Sequence, residues 1–210
     1  MEKVKEVPYG VADFVTVMEQ NLYYVDKTMF IPELEKQPRN LFFIRPRRFG
    51  KSIFLSMLHS YYDCNQSAKF QSLFGNLWIG QHPTELQGKY QVLFLDFSQV
   101  SGNIDSLERN FDFYCSVKLD GFIRRYGESY SEETREKVRK AEYAMDKLAF
   151  IHDEAEQKGF SLYLIVDEYD NFTNVVLNEH GEKVYHAITH ADGFYLSLIH
   201  ISEPTRRRGI

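Results

Sequence analysis

The sequence predicts an α/β chain of three layers, with helices on both sides of a mainly parallel sheet. Three observations lead there. Short apolar runs at 41–44, 91–97 and 161–167 read as buried strands, and segments of helical spacing separate them. The first run opens into a basic turn and then a helix, through Arg45-Pro46-Arg47-Arg48-Phe49-Gly50-Lys51-Ser52. The third run ends in two carboxylates, Asp167 and Glu168.

Each element follows from local pattern. Residues 8–37 form a lead-in, with a turn at Pro8-Tyr9-Gly10. Tyr24-Val25-Asp26-Lys27-Thr28 then precedes a short helix carrying Phe30, Ile31 and Leu34 on one face. Gln37-Pro38-Arg39-Asn40 breaks that helix before the first strand, 41–44. The helix after the basic turn runs from about Lys51 to Tyr62. Residues 65–90 are mixed, with an apolar patch at Phe70, Leu73, Phe74, Leu77 and Trp78.

The second strand is Gln91-Val92-Leu93-Phe94-Leu95-Asp96-Phe97, ended by Ser98 and Gly102. Ile104, Leu107, Phe111, Tyr114 and Phe122 keep helical spacing and predict a helix to about Tyr126. Ser131, Glu132 and Glu133 start the next helix, since a hydroxyl cap and first-turn acids suit its positive end. Its apolar stripe is Val138, Ala141, Met145, Leu148 and either Phe150 or Ile151, and Lys158-Gly159 stops it before the strand 161–167.

With 210 residues, 43% of them hydrophobic, the chain can bury one sizeable core and is read as a single domain. No apolar run reaches the roughly 18 residues of a membrane helix, and the charged start Met1-Glu2-Lys3-Val4-Lys5-Glu6 is unlike a signal peptide. No membrane partner is expected. Cys64 and Cys115 lack metal-ligand spacing, which suggests a reduced, cytoplasmic protein. The net charge of −5 argues against broad coating of nucleic acid.

The last residues stand apart. Leu196-Ser197-Leu198-Ile199-His200-Ile201-Ser202-Glu203-Pro204-Thr205-Arg206 resembles the in-frame translation of a transposon-end sequencing adaptor. Residues 1–195 are therefore expected to be the native part and 196–210 a non-native tail. The alternative is a native amphipathic strand with a basic end. On the first reading, Arg206, Arg207 and Arg208 are no nucleic-acid patch, and the chain without the tail is more acidic still.

A strand, a tight basic turn and a helix form the layout of a phosphate-binding loop. Backbone N–H groups and the helix N-terminus surround the phosphates, Lys51 reaches the outer ones, and Ser52 holds Mg²⁺. Against the pattern G-x-x-x-x-G-K-[ST], Arg45 stands where the first Gly belongs, so that position keeps an ordinary φ or the loop is reshaped. The bland alternative is a chance Gly-Lys-Ser at a strand–helix turn. Arg47 and Arg48 either touch phosphate or substrate or form a solvated turn.

Asp167 would accept from Ser52 or from a Mg²⁺-bound water, and Glu168 could polarise the attacking water. Asp170 reads as a helix N-cap. His186 and His190 have a spacing that can bind Zn²⁺, yet no Glu follows the first His and no third ligand stands out, so they read as ordinary histidines. Tyr23, Tyr24, Phe30, Phe42 and Phe43 are core aromatics or partners for a base.

Through Pro8-Tyr9-Gly10, Tyr24 to Thr28, Arg45 to Ser52, Leu95-Asp96-Phe97-Ser98 and Asp167-Glu168-Tyr169-Asp170-Asn171-Phe172, the chain resembles the bacterial AAA-ATPase-like family. Members of that family often carry a PD-(D/E)XK nuclease-like domain after the ATPase. The resemblance implies a three-layer P-loop NTPase fold, here truncated before its central and last strands. It makes arginine ordinary at position 45. It also assigns Lys51 and Ser52 to the triphosphate and Mg²⁺, and Asp167 and Glu168 to the second acidic motif. Asp26-Lys27-Thr28 would occupy the place where related ATPases approach the nucleotide ahead of the first strand, with Asp26 among the binding residues.

The function expected is Mg-ATP binding and hydrolysis, with Lys51 and Glu168 catalytic. Arg45, Pro46, Arg47, Arg48, Phe49, Gly50, Lys51, Ser52 and Asp26 would hold the nucleotide, and Ser52 and Asp167 the metal. Any nucleic acid would be reached through a C-terminal domain outside the chain, and an oligomer is left open. The rival from another class is a non-hydrolysing nucleotide switch or scaffold. A helicase ranks lower, because Asp167-Glu168-Tyr169-Asp170 has the D-E-x-D form without a second RecA-like domain. A GTPase is disfavoured by the lack of N-K-x-D.

Overall fold

The computed structural model describes residues 4–38, 41, 43, 46, 48–100 and 104–169. Within them the chain is mixed α/β, mostly helical, with a two-stranded parallel sheet. It divides into two compact units, residues 1–92 and 93–210.

The first unit is built on aromatic packing around one long helix. Asp13 caps α1 (Phe14–Glu19), its Oδ2 accepting from the Thr16 backbone at 2.7 Å and the Thr16 hydroxyl at 2.6 Å. Burial pushes the Asp13 carboxyl up, but the Thr16 and Ser56 hydrogen bonds outweigh it and hold the group below the usual range. Ser56 belongs to α3 (Lys51–Tyr62) and accepts from Phe14 N–H at 2.9 Å, tying α1 to α3. Phe14 stacks on Phe74 at 4.9 Å, and Tyr61 meets the same ring edge-on at 5.5 Å. Phe14, Phe74, Tyr61, Ile31 and Met57 are fully buried.

Between α1 and α3 lie a 3-10 turn, Thr28–Phe30, and α2 (Ile31–Glu35), with Pro32 in its first turn as helix starts prefer. After α3, short helices α4 (Phe70–Phe74) and α5 (Trp78–Gln81) close the unit. Glu35 fastens α2 to this end, accepting from Tyr62 at 3.1 Å and Thr84 at 2.7 Å.

The second unit is a helical layer on two strands. Strand β1 (Tyr90–Asp96) begins at the end of the first unit, and β2 (Ser161–Asp167) pairs with it. Leu107, Phe111, Cys115, Leu119, Phe122 and Tyr126 form the buried stripe of α6 (Ile104–Tyr126). That helix packs on α8 (Ala144–Lys158), where the buried Lys147 meets Asp120 at 2.7 Å. Gly159, at φ +71°, ends α8 in the left-handed conformation that leaves no Cβ penalty.

The sequence predicts one helix from Ser131 to Lys158, whereas the structure has two, α7 (Glu132–Lys140) and α8. Ala141 turns extended, at φ −63° and ψ 133°, and Asp112 of α6 accepts from Ala144 N–H at 2.8 Å. A tertiary hydrogen bond supplies the new start that no local Gly or Pro announces. Ile151 is the buried choice of the alternative pair, Phe150 being 36% exposed. Phe30, expected on an apolar face with Ile31, is half exposed. Of the expected strand 41–44, Leu41 and Phe43 lie in no strand, while Phe42 and Ile44 fall outside the described residues. So do Asp170, His186, His190 and the 196–210 tail. In β2, expected to be fully buried, Ile165 and Asp167 are buried and Leu162 to Leu164 only half so. Ile165 and Asp167 share a face, as residues two apart in a strand must.

Candidate nucleotide site

Gly50 determines the local geometry of the first unit's basic turn. It is the N-cap of α3 at φ +76° and ψ 26°, and no side chain caps the helix. Left-handed backbone there costs glycine nothing and other residues about 1–2 kcal/mol. The Phe54 amide makes the first helical bond, to Gly50 O at 3.2 Å. Gly50 brings no side chain to cap the helix, and the first turn of α3 presents the positive end of the helix dipole. Lys51 and Ser52 are the first two helical residues, both half-buried.

Upstream, Phe49 N–H donates to Pro46 O at 3.4 Å, a turn closed just before Gly50. Arg48 is exposed at φ +66°, a region that costs arginine energy. Arg45, expected either to keep an ordinary φ or to sit in a reshaped loop, lies outside the described residues, as does Arg47.

Asp26 and Lys27 divide the roles of the upstream motif. Asp26 Oδ1 accepts from the Thr28 backbone at 2.8 Å and from the Thr28 hydroxyl at 2.7 Å. Its Oδ2 accepts from Trp78 N–H at 2.7 Å, and Thr28 Oγ1 accepts from Ile79 N–H at 3.1 Å. Both oxygens of Asp26 thus serve the start of α5. Lys27, which the sequence marks together with Asp26 and Thr28, lies by the loop: a Cβ on Gly50 would stand 3.5 Å from Lys27 Nζ. A cavity of about 190 Å³ adjoins the loop, lined by Lys27, Phe30, Phe43, Phe49, Gly50 and Phe54 among others. Phe43 stacks on Phe54 at 5.1 Å, while Phe49 is 61% exposed.

In the second unit, β2 delivers the acidic pair at its carboxyl end. Asp167 is 4% exposed, and its Oδ1 accepts from Glu168 N–H at 2.9 Å. Glu168 takes φ +53°, a left-handed conformation directly after the strand. Backbone strain thus falls on one residue of each motif, Arg48 and Glu168. Among the described residues no three His, Cys, Asp or Glu side chains gather as a metal cluster. Mg²⁺ does not require one, since it is held by one or two protein ligands with waters and phosphate. Ser52 and Asp167 have the hard oxygen chemistry it takes.

The family described as Predicted AAA-ATPase matches residues 8–205. The chain belongs to this family. Membership implies the P-loop fold. The match runs past Tyr195, where the native segment was expected to end. The chain is also similar to an "Uncharacterized protein in vnfD 5'region" of Azotobacter chroococcum mcd 1, 43% identical over 63 residues. That stretch covers 30% of this chain and 12% of the relative, so the chain spans a small part of that protein's length. No solved structure matches the chain. Among the described residues no helix is long and apolar enough to cross a membrane.

Proposed function

We propose that the protein binds Mg-ATP and hydrolyses its terminal phosphoanhydride bond. The observation that carries this reading is the uncapped start of α3 behind a left-handed Gly50, opening directly onto Lys51 and Ser52. An anion is the natural complement of such a helix end.

Lys51 binds the outer phosphates and stabilises the charge that develops on them. Ser52 and Asp167 would hold the Mg²⁺, which would supply neutralisation of the phosphate charge. Glu168 orients and polarises the attacking water. Arg45, Pro46, Arg47, Arg48, Phe49 and Gly50 form the loop around the phosphates. Asp26 acts on this site through the turn that it holds, as a positioning residue. In its natural setting ATP turnover would drive a nuclease-like or nucleic-acid-processing module, a step that rests on family analogy. A reducing cytoplasm suits Cys64 and Cys115, which are free thiols. Burial pushes the Cys115 thiol up to about 12, which keeps it inert.

Glu168→Gln tests the hydrolytic role in the full-length protein. It preserves shape and removes the base, so Mg-ATP binding persists while phosphate release falls by roughly 10²–10⁴-fold. Unchanged phosphate release in the variant would refute the role given to Glu168. ATP binding without any phosphate release by the parent would favour a nucleotide-dependent switch or scaffold.

A further inference from the structure

We propose that Lys27 is a second phosphate-binding cation of the ATP site, reaching the loop from the N-terminal segment rather than from α3. The inference deepens the reading above and rests on it. Its geometric basis is the cavity shared by Lys27 and Gly50, with the Lys27 ammonium 3.5 Å from where a Cβ on the loop's left-handed residue would stand.

The position is built rather than accidental. On one side of Lys27, Asp26 spends both carboxylate oxygens on Thr28 and Trp78. On the other, Thr28 is fully buried and bonded to Ile79 N–H. The backbone of Lys27 is therefore fixed by neighbours on both sides, and little freedom remains beyond its own side-chain rotamers. Aromatic rings form much of the wall of the cavity that the half-buried Lys27 lines.

Its electrostatics call for an anion. The side chain of Lys27 makes no hydrogen bond or ion pair with a described residue. Glu33, the carboxylate on the same cavity, is paired with Lys36 at 2.8 Å. A lysine beside the N-terminus of α3 adds positive charge to the positive end of a helix, an unfavourable pairing in the absence of a ligand. A polyphosphate between Lys27 and the first turn of α3 turns that repulsion into two attractions. Lysine suits the task as a compact charge on a flexible stem.

The test is titration of Mg-ATP and adenosine into the full-length protein and its Lys27→Met, Lys27→Arg and Lys51→Ala variants. Lys27→Met should weaken Mg-ATP at least tenfold, about 1.4 kcal/mol, with a shallower salt dependence and unchanged adenosine affinity. Lys27→Arg, which keeps the charge, should bind within a few-fold of the parent. Thermal melts of Lys27→Met and Lys27→Arg matching the parent exclude a folding defect, and a Lys27→Met that melts early hands the decision to the arginine variant's affinity and salt slope. If Lys51→Ala loses Mg-ATP while Lys27→Met binds as the parent does, the role of Lys27 is overturned and the ATP site stands. A parent that binds no Mg-ATP overturns both.

Discussion

Gly50 has a task that its neighbours cannot share. At φ +76° it starts α3 and contributes no capping side chain. A methyl group added there would meet Lys27 Nζ at 3.5 Å and Ile53 Cγ2 at 3.6 Å, both ordinary contacts, so the cost of Gly50→Ala is conformational. We expect a loss of about 1–2 kcal/mol in a urea melt, with weakened Mg-ATP binding as the turn relaxes. Arg48 and Glu168 carry the same backbone cost without the glycine exemption. Such strain persists where surrounding structure over-determines it, and here it falls on both motifs that the sequence marks for phosphate chemistry. Glycine, lysine, serine and the two acids were legible from residue type and spacing. The positive φ of Arg48 and Glu168 was not, because nothing in either side chain announces it. Lys27 is marked in the sequence with Asp26 and Thr28, but its distance to a loop more than twenty residues later in the chain is not legible there.

At the scale of elements, the junction of α7 and α8 offers a titration. Glu154 of α8 accepts from the Ser131 backbone at 2.8 Å, the Ser131 hydroxyl at 3.0 Å and Lys158 at 2.7 Å. Burial raises its carboxyl, but the hydrogen bonds from Lys158, Thr134 and Ser131 win and hold it at about 2. The folded value lies below the ordinary 4.5, so this stabilisation is complete above pH 4.5 and fades as the pH falls towards 2. Glu154→Gln should cost on the order of 2 kcal/mol at pH 7. Thermal melts from pH 6 to pH 3 should then fall more steeply for the parent than for the variant, and parallel curves would count against the arrangement. Helices with a strong local signal are legible in the sequence: α3 from about Lys51 to Tyr62, α6 to about Tyr126, and the Ser131 cap. The gap between α7 and α8 escaped because Val138, Ala141 and Met145 keep helical spacing across it, while its cause is Asp112 on another helix. Helix α1 was missed inside the lead-in, although Asp13 followed by Phe14 and Val17 carried both its cap and its buried face.

For the whole molecule, fold class and family were legible because the motif order and the strand–helix alternation are one-dimensional signals. The chain is indeed mixed α/β and belongs to a predicted ATPase family. The number of strands was less accessible, since two strands form the described sheet and strand pairing depends on partners far along the chain. What ATP turnover would drive lies outside these residues, because fold does not fix function. The central claim is narrower: the turn ending in Gly50-Lys51-Ser52 holds a nucleotide by its phosphates. Calorimetric titration of Mg-ATP into the full-length protein and its Lys51→Ala variant tests it most directly. The account predicts a loss of tenfold or more in affinity, about 1.4 kcal/mol, on removing the lysine. Equal affinities for parent and variant would contradict it.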